Sequence, residues 1–443
     1  MREVDLVVRG GAVVTSDPDF TVHPAADVAI DGGRFVEIGP ELQLMGRREL
    51  DASDAVVIPG LINAHTHGCL LRGLYEDKPL HEWLQNLCFP MEQRLLPAHT
   101  TAAAHMNQLE MIRGGTTTFV DMYRHPTAVA EVVEKSGLRA ILCPQVMELG
   151  SGRGETWEEA ERFLRARAGE TGHISTWIGP HAPYTVTGEG YRRAARLAAE
   201  LGLRVKTHLC ETQFEVDLIQ QREGLGPVEW LDSLGVLEGL VAAHAVVLSE
   251  SDRNLLARRG AAIVHNPTSN MKLASGVAEV GAATASNIPL GLGTDSVLSN
   301  NKLDMIQEMR AAALLQKSAT GDAAALPAQE ALHMATLGGA RALGLEEEIG
   351  SVEVGKRADL AVIDFAAPHL WPWLRGVTGD NTVSQIVYAS NASDVIHTVV
   401  DGRVLMKDRE VLTLDAGQAR EQVQQAATEL LGFIGNHHIR SKE

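Results

Sequence analysis

Between residues 56 and 296 the chain runs through eight short apolar segments, each separated from the next by longer stretches of helical periodicity. They are "VVIPGLINAH" (56–65), "TTTFVDMY" (116–123), "RAILCPQV" (139–146), "HISTWIGPHAP" (173–183), "RVKTHLCE" (204–211), "LVAAHAV" (240–246), "AAIVHNP" (261–267) and "IPLGLGTDS" (288–296). Short apolar strands alternating with helices call for a parallel sheet built from βα units. Eight of them favour a closed (β/α)8 barrel of the TIM type over an open doubly wound sheet. Segments such as "EGYRRAARLAAELG" and "KLDMIQEMRAAALLQK" carry apolar residues three and four apart, as helices covering such a sheet must.

The ends have a different texture. Residues 1–57 read as short strands broken at Gly-Gly and Asp-Gly-Gly bends, a small antiparallel sheet. The pattern returns after about residue 350 in "GSVEVGKRADLAVID", "VSQIVYAS" and "IHTVVDGRVLMKDREVL". The expected organisation is a composite β-sandwich domain from residues 1–57 and 351–443, wrapped around a barrel of residues 58–350. "AGQAREQVQQAATELLGFIG" reads as a final amphipathic helix.

With 45% apolar and 22% charged residues, the chain can bury a large core. Its formal charge of −18, spread along the sequence, opposes nucleic-acid backbones and anionic membranes and points to a small-molecule partner. No 18 apolar residues run unbroken and the start lacks a signal-peptide pattern, so a cytoplasmic location is expected. Cys69, Cys88, Cys143 and Cys210 are far apart with no C-x-x-C, which reads as four buried free thiols.

In barrels the chemistry sits where strands end. Here strand 1 ends at His65 and His67, strand 4 at His181, strand 5 at His208 and Glu211, strand 6 at His244, strand 7 at His265 and strand 8 at Asp295. Side chains alternate along a strand, so His65 and His67 share a face and can hold one ion together. Imidazoles with a carboxylate suit a divalent transition metal, so His65, His67, His208 and Asp295 are the expected ligands. Zinc is the expected ion, although the same set accepts Fe2+ or Mn2+.

"PGLINAHTHGCLLRGLYED", "GPHAPYT", "THLCET", "AAHAV", "HNPTSNMKLASG" and "LGTDSVLSNN", in this order along nearly the whole chain, resemble the amidohydrolase superfamily. The closer resemblance is to its adenosine-type deaminases of S-adenosylhomocysteine and 5′-methylthioadenosine. That resemblance implies hydrolytic deamination of an adenine nucleoside to its inosine analogue and ammonia. It implies that Asp295 takes a proton from water, that Glu211 carries a proton to the purine ring and the departing ammonia, and that His244 orients the attacking oxygen. It further implies that Glu92 accepts hydrogen bonds from the ribose hydroxyls and that His181 contacts the purine. Trp83 is expected near the mouth, and Arg153 is the one arginine of the strand 3 loop able to reach a substrate carboxylate. His265, Asn266, Ser269 and Asn270 are expected to support the site, and Asn300 and Asn301 to fix the last loop. His105, His125, His333 and the pair His437–His438 are expected to be solvent or packing residues.

Binuclear relatives carry a lysine at the end of strand 4, and "WIGPHAPYT" has none, which implies a single metal. The H-x-E and P-C-x-x-C pattern of the other zinc deaminase class is also absent. Two rival readings stand beside the nucleoside one. The first is hydrolysis of another heteroaromatic ring, such as guanine, a pterin or an s-triazine, on the same metal site. The second is a barrel that has lost catalysis and serves as a binding protein. Association into a homo-oligomer is left open, as is the choice among adenosine, methylthioadenosine and S-adenosylhomocysteine.

Overall fold

The computed structural model describes residues 2–170 and 172–434. Its first five strands are β1 (Arg2–Val14), β2 (Val22–Asp31), β3 (Arg34–Gly39), β4 (Leu44–Asp51) and β5 (Ala55–Pro59). The central strands are β6 (Leu61–Thr66), β7 (Thr116–Tyr123), β8 (Arg139–Val146), β9 (Ile174–Thr176), β10 (Gly179–Pro180), β11 (Lys206–Leu209), β12 (Val241–His244), β13 (Ala262–His265) and β14 (Leu290–Leu292). Last come β15 (Leu360–Asp364), β16 (Val395–Val400), β17 (Arg403–Lys407) and β18 (Glu410–Val411).

Both termini do enter one sheet, of nine strands, in the order β18-β17-β16-β15-β5-β1-β2-β3, with β4 also on β1. The sheet is mixed rather than antiparallel, because β1 pairs antiparallel with β2 but parallel with β4 and β5. Gly10 and Gly11 explain how one strand serves two partners. The ladder to β2 shifts register on either side of Gly11, β4 pairs with residues 2–9, and β5 pairs with Ala12 and Val13. Gly10 sits at φ +72°, and a Cβ on Gly11 would lie 3.0 Å from that of Ala52, so neither position takes a larger residue without a shift.

Two expected strands are not formed. "VSQIVYAS" holds the helix Thr382–Tyr388, in which Thr382, Ile386 and Val387 turn inward. That helical spacing buries its β-branched residues on one face, so tertiary packing overrides their strand preference. The segment "GSVEVG" is also outside any strand. The C-terminal helix runs over Ala416–Ile434 as its periodicity predicts. His437 and His438 lie outside the described residues.

The central strands form two wholly parallel sheets, one of β6, β7, β8, β9 and β10 and one of β11 to β14. Every residue of β7 and β8 is buried, and both strands lack the alternation of apolar and exposed polar residues that a one-sided sheet shows. The sheets meet at both edges. On one side Ile178 bridges Val205 in parallel, and the Lys206 amide donates to the Ile178 carbonyl at 2.9 Å. On the other side the Asp295 amide donates to the His65 carbonyl at 2.9 Å, and Asn63 and Thr294 exchange two hydrogen bonds of 2.7 and 3.0 Å.

Arg139, at the start of β8, joins the central strands to the composite sheet through Asp359 and Asp401 at 3.2 and 3.0 Å. His173 and Arg357 also reach Asp401, at 2.8 and 3.2 Å. The hydrogen bond to Asp401 raises the His173 pKa, so the charged imidazole is favoured by folding. This contribution is complete below the unfolded value near 6.5 and is lost as pH rises through the higher folded value. Asp401→Asn is therefore expected to cost about 2–3 kcal/mol at pH 6 by urea denaturation, with a smaller difference at pH 9. An equal difference at both pH values would remove His173 from this account.

All four cysteines are buried and free, as expected. Among the described residues no helix is long and apolar enough to cross a membrane.

Candidate active site

The strand ends converge on one pocket, and the backbone there is unusual. His244, Ala245, Asp295 and Cys210 all have positive φ, at 72°, 48°, 60° and 51°. A left-handed non-glycine residue costs on the order of 1–3 kcal/mol and persists only where its surroundings hold it. At Cys210 the holding group is Glu215. Its two carboxylate oxygens accept the backbone N–H groups of Cys210 and Glu211 at 2.8 and 3.1 Å. The kink lies between His208 and Glu211, which both line the pocket.

The imidazoles are oriented from behind. His67 Nδ1 donates to the Met122 carbonyl at 2.5 Å and His208 Nδ1 to the His181 carbonyl at 2.6 Å. A carbonyl can only accept, so each ring carries its proton on Nδ1 and turns an Nε2 lone pair forward. Those two Nε2 atoms lie 3.1 Å apart. His65 is fully buried with neither ring nitrogen partnered, and burial followed by the Lys206 charge holds its pKa well below the usual value. Its Nε2 is 3.5 Å from Asp295 Oδ1, which is also 3.2 Å from His67 Nε2.

Burial alone would raise the Asp295 carboxyl. Hydrogen bonds from its surroundings, that of the Ser269 hydroxyl among them, hold it below the carboxylate range instead. Its Oδ2 accepts from the hydroxyls of Ser269 at 2.6 Å and Ser299 at 2.7 Å, leaving Oδ1 toward the rings. One nitrogen each of His65, His67 and His208 lie within 4.8 Å of one another, as do nitrogens of His65 and His244 and an oxygen of Asp295. Converging lone pairs, an unpartnered buried imidazole and a carboxylate form a donor set that a divalent ion fits.

These groups line a single pocket together with apolar and aromatic side chains such as Leu84, Met91 and Tyr123. Glu211 lies in its wall, pushed up to about 8 by burial and then by the Asp295 charge. Its Oε1 is 3.8 Å from His244 Nδ1, which donates to Asn270 Oδ1 at 2.8 Å. His181 is pushed down to about 3, chiefly by burial, and its Nδ1 meets the Thr185 hydroxyl at 2.7 Å. Glu92 is buried at the far side, pushed up to about 7 by burial, with Oε2 unpartnered. Trp83 is buried in the same wall.

Arg153 is not brought into the pocket. Its side chain is exposed and outside the lining residues, and only its backbone N–H faces the Glu92 carboxylate. His265 is buried beside a separate cavity with Val246, Arg253 and Glu279, consistent with its exclusion from the ligand set. Ser269 and Asn270 do support the site by the bonds given above, and Asn300 donates to the Thr294 carbonyl at 2.8 Å.

Several contributors had no sequence signal of their own. Glu308, fully buried in the helix Met305–Thr320, accepts from Asn300 Nδ2 at 2.6 Å and from the Thr268 amide at 3.3 Å. It thereby ties together the segments that present Ser299 and Ser269. Glu215 and Glu308 read as solvated helix carboxylates until the fold is known. Their helical positions offered one hint, since each lies within the first turn after a capping Thr212 or Asp304.

The sequence pattern of the amidohydrolase family matches residues 56–405. The chain belongs to the amidohydrolase family. Among curated members, a protein of Desulforudis audaxviator named 5-methylthioadenosine/S-adenosylhomocysteine deaminase is 41% identical over 97% of this chain and 100% of its own length. A 5′-deoxyadenosine deaminase of Methanosarcina mazei is 39% identical over 98% of this chain and 100% of its own. Among solved family structures, an adenosine deaminase of Xanthomonas campestris with bound zinc is 35% identical, with a TM-score of 0.92 over 97% of this chain and 99% of that one. The atrazine chlorohydrolase of Arthrobacter aurescens shares the fold at a TM-score of 0.87 with 24% identity, over 95% of this chain and 99% of that one.

Proposed function

We propose that this protein hydrolyses the 6-amino group of an adenine nucleoside, giving the inosine analogue and ammonia. The observation that carries this reading is a buried Glu211 in the wall of the pocket that holds a His-His-His-Asp donor set, in a chain whose full-length relatives bear adenosine-type deaminase names.

His65, His67, His208 and Asp295 would hold one divalent ion, zinc by this donor set and by the zinc-bound relative. When bound, such an ion supplies a Lewis acid and brings the ionisation of water from near 16 toward about 7. Water then adds to purine C6, and Asp295 accepts a proton from it while two serine hydroxyls fix the other carboxylate oxygen. Glu211 gives its proton to the adjacent ring nitrogen, which makes C6 electrophilic. Of the two protons of the added water, taken up by Asp295 and by the Glu211 carboxylate, one passes to the amino group so that ammonia departs as the C–N bond breaks, and the other leaves Glu211 protonated again. His244, with its proton committed to Asn270, presents Nε2 as an acceptor that orients an O–H of the attacking water. His181, neutral, would contact the purine, and Glu92 would accept from the ribose hydroxyls with its unpartnered oxygen. Trp83 forms wall.

In the same reading the two parallel sheets are one closed (β/α)8 barrel of residues 58–350, and residues 1–57 and 351–443 form a composite β-sandwich. The hydrogen bonds at both sheet edges support closure. The bend at Gly10–Gly11 and the shared burial of Leu6, Val28, Phe35, Leu360 and Val399 support the sandwich.

An ammonia-release screen of zinc-loaded protein against adenine nucleosides, guanine and melamine tests the reaction. Turnover confined to the last two would replace the nucleoside reading with the heteroaromatic-ring one. Glu92→Ala is expected to lower kcat/KM for a nucleoside about 100-fold, as loss of two hydrogen bonds to a charged group implies, and to change that for a free base little. Equal loss for both would remove Glu92 from ribose recognition.

A further inference from the structure

We propose that the pocket selects adenine nucleosides whose 5′ substituent is neutral and apolar, a deoxy or alkylthio group, over those ending in an amino acid. The inference rests on the nucleoside reading above and names the part of the substrate that reading leaves open.

The wall opposite the histidines comes from one continuous helical segment. It begins as the helix Leu80–Trp83, widens through a π-helical turn at Leu84–Cys88 and ends in the short helix Phe89–Glu92. Leu80, Trp83, Leu84, Cys88 and Met91 face the pocket from it, at spacings that make one stripe. The stripe starts half-buried at Leu80, is fully buried at Met91 and ends at Glu92. With the base at the donor cluster and the ribose on Glu92, a 5′ substituent leaves the ribose along this stripe toward Leu80.

No lysine or arginine lines the pocket among the described residues, whereas three carboxylates do, those of Glu92, Glu211 and Asp295. Nearby cations are already engaged. Lys78 pairs with Glu82 at 3.2 Å, and Lys272 pairs with Glu76 and also donates to the Leu298 carbonyl at 2.8 Å. Arg124 lies behind the wall, donating to the Glu92 and Leu95 carbonyls at 2.5 and 3.4 Å. An amino-acid tail would bring a carboxylate out of water onto an apolar stripe, with no lysine or arginine among the lining residues to receive it. A methylthio group on the same stripe loses only unfavourable contact with water.

The test is kcat/KM by ammonia release for 5′-deoxyadenosine, 5′-methylthioadenosine, adenosine and S-adenosylhomocysteine on the zinc-loaded protein. The first two are expected to exceed S-adenosylhomocysteine tenfold or more. Leu80→Arg, at the half-buried end of the stripe, is expected to narrow the ratio by raising the S-adenosylhomocysteine value. Inhibition of the wild type by the inosine products gives the same comparison without a variant, with the methylthio product binding the more tightly. S-adenosylhomocysteine within threefold of methylthioadenosine would overturn the inference and leave the deaminase reading standing. If that rate fell in Arg153→Ala, the loop arginine would be the missing cation. No turnover of any of the four nucleosides would overturn both.

Discussion

Glu211→Gln is expected to lower kcat about 1,000-fold, within the roughly 100- to 10,000-fold range for loss of a positioned acid–base group, while zinc content stays at one per chain. The amide fills the same space and can still accept a hydrogen bond, but it has no proton to give to the ring nitrogen. Substrate binding should persist, so KM changes far less than kcat. The expectation depends on Glu211 being off the metal, which the geometry supports: the clusters of close donor atoms are drawn from His65, His67, His208, His244 and Asp295. Parallel loss of zinc and activity on metal analysis would instead make Glu211 a ligand. Full activity in the variant would move the shuttle to another group.

The second large effect is that of the metal itself. Dialysis against a chelator is expected to take turnover below detection, and stoichiometric zinc to restore it. The same treatment should lower Tm, since an ion present at about 1,000 times its Kd and bound only to the folded chain adds roughly 4 kcal/mol of stability. Without it, the facing lone pairs of His67 and His208 and the unpartnered ring nitrogens of His65 are left with no electrophile between them. Calorimetry of the two forms measures the difference. An unchanged Tm together with full activity after metal removal would refute the assignment of these four residues.

The central strands were legible because their signal is local. The segments 116–123 and 139–146 coincide with β7 and β8, whose residues are all buried and rich in apolar and β-branched types. The histidines were legible for the same reason, since alternation in a strand fixes the face that His65 and His67 share. "VSQIVYAS" was misleading because its β-branched residues fit either period, and only the surface beneath Ile386 and Val387 decides between them. The parallel placement of β4 and β5 on β1 depends on a chain crossing between distant residues, which no local pattern reports. Glu215 and Glu308 are the clearest omissions at the site. A carboxylate that braces backbone amides has the same sequence environment as one facing water, and its role exists only once Cys210 adopts a left-handed turn or Asn300 folds back. Arg153 is the converse case, a charge close in sequence to the pocket whose loop carries its side chain away.

The nine-stranded sheet also sets an order of events on the ribosome. Strand β5 pairs with β15, Pro59 facing Leu360, so its partner is made about 300 residues later. At ~5–20 residues per second that delay is roughly 15–60 s. β1 to β4 can pair among themselves meanwhile, but "AVVIP", every residue of which is buried in the finished protein, must wait as an open apolar edge. Its shortness and the missing N–H of Pro59 leave a nascent neighbour few groups to pair with. The N-terminal segment is thus a template synthesised first and completed last, and the yield of native protein depends on that edge staying single until residues 360–364 arrive.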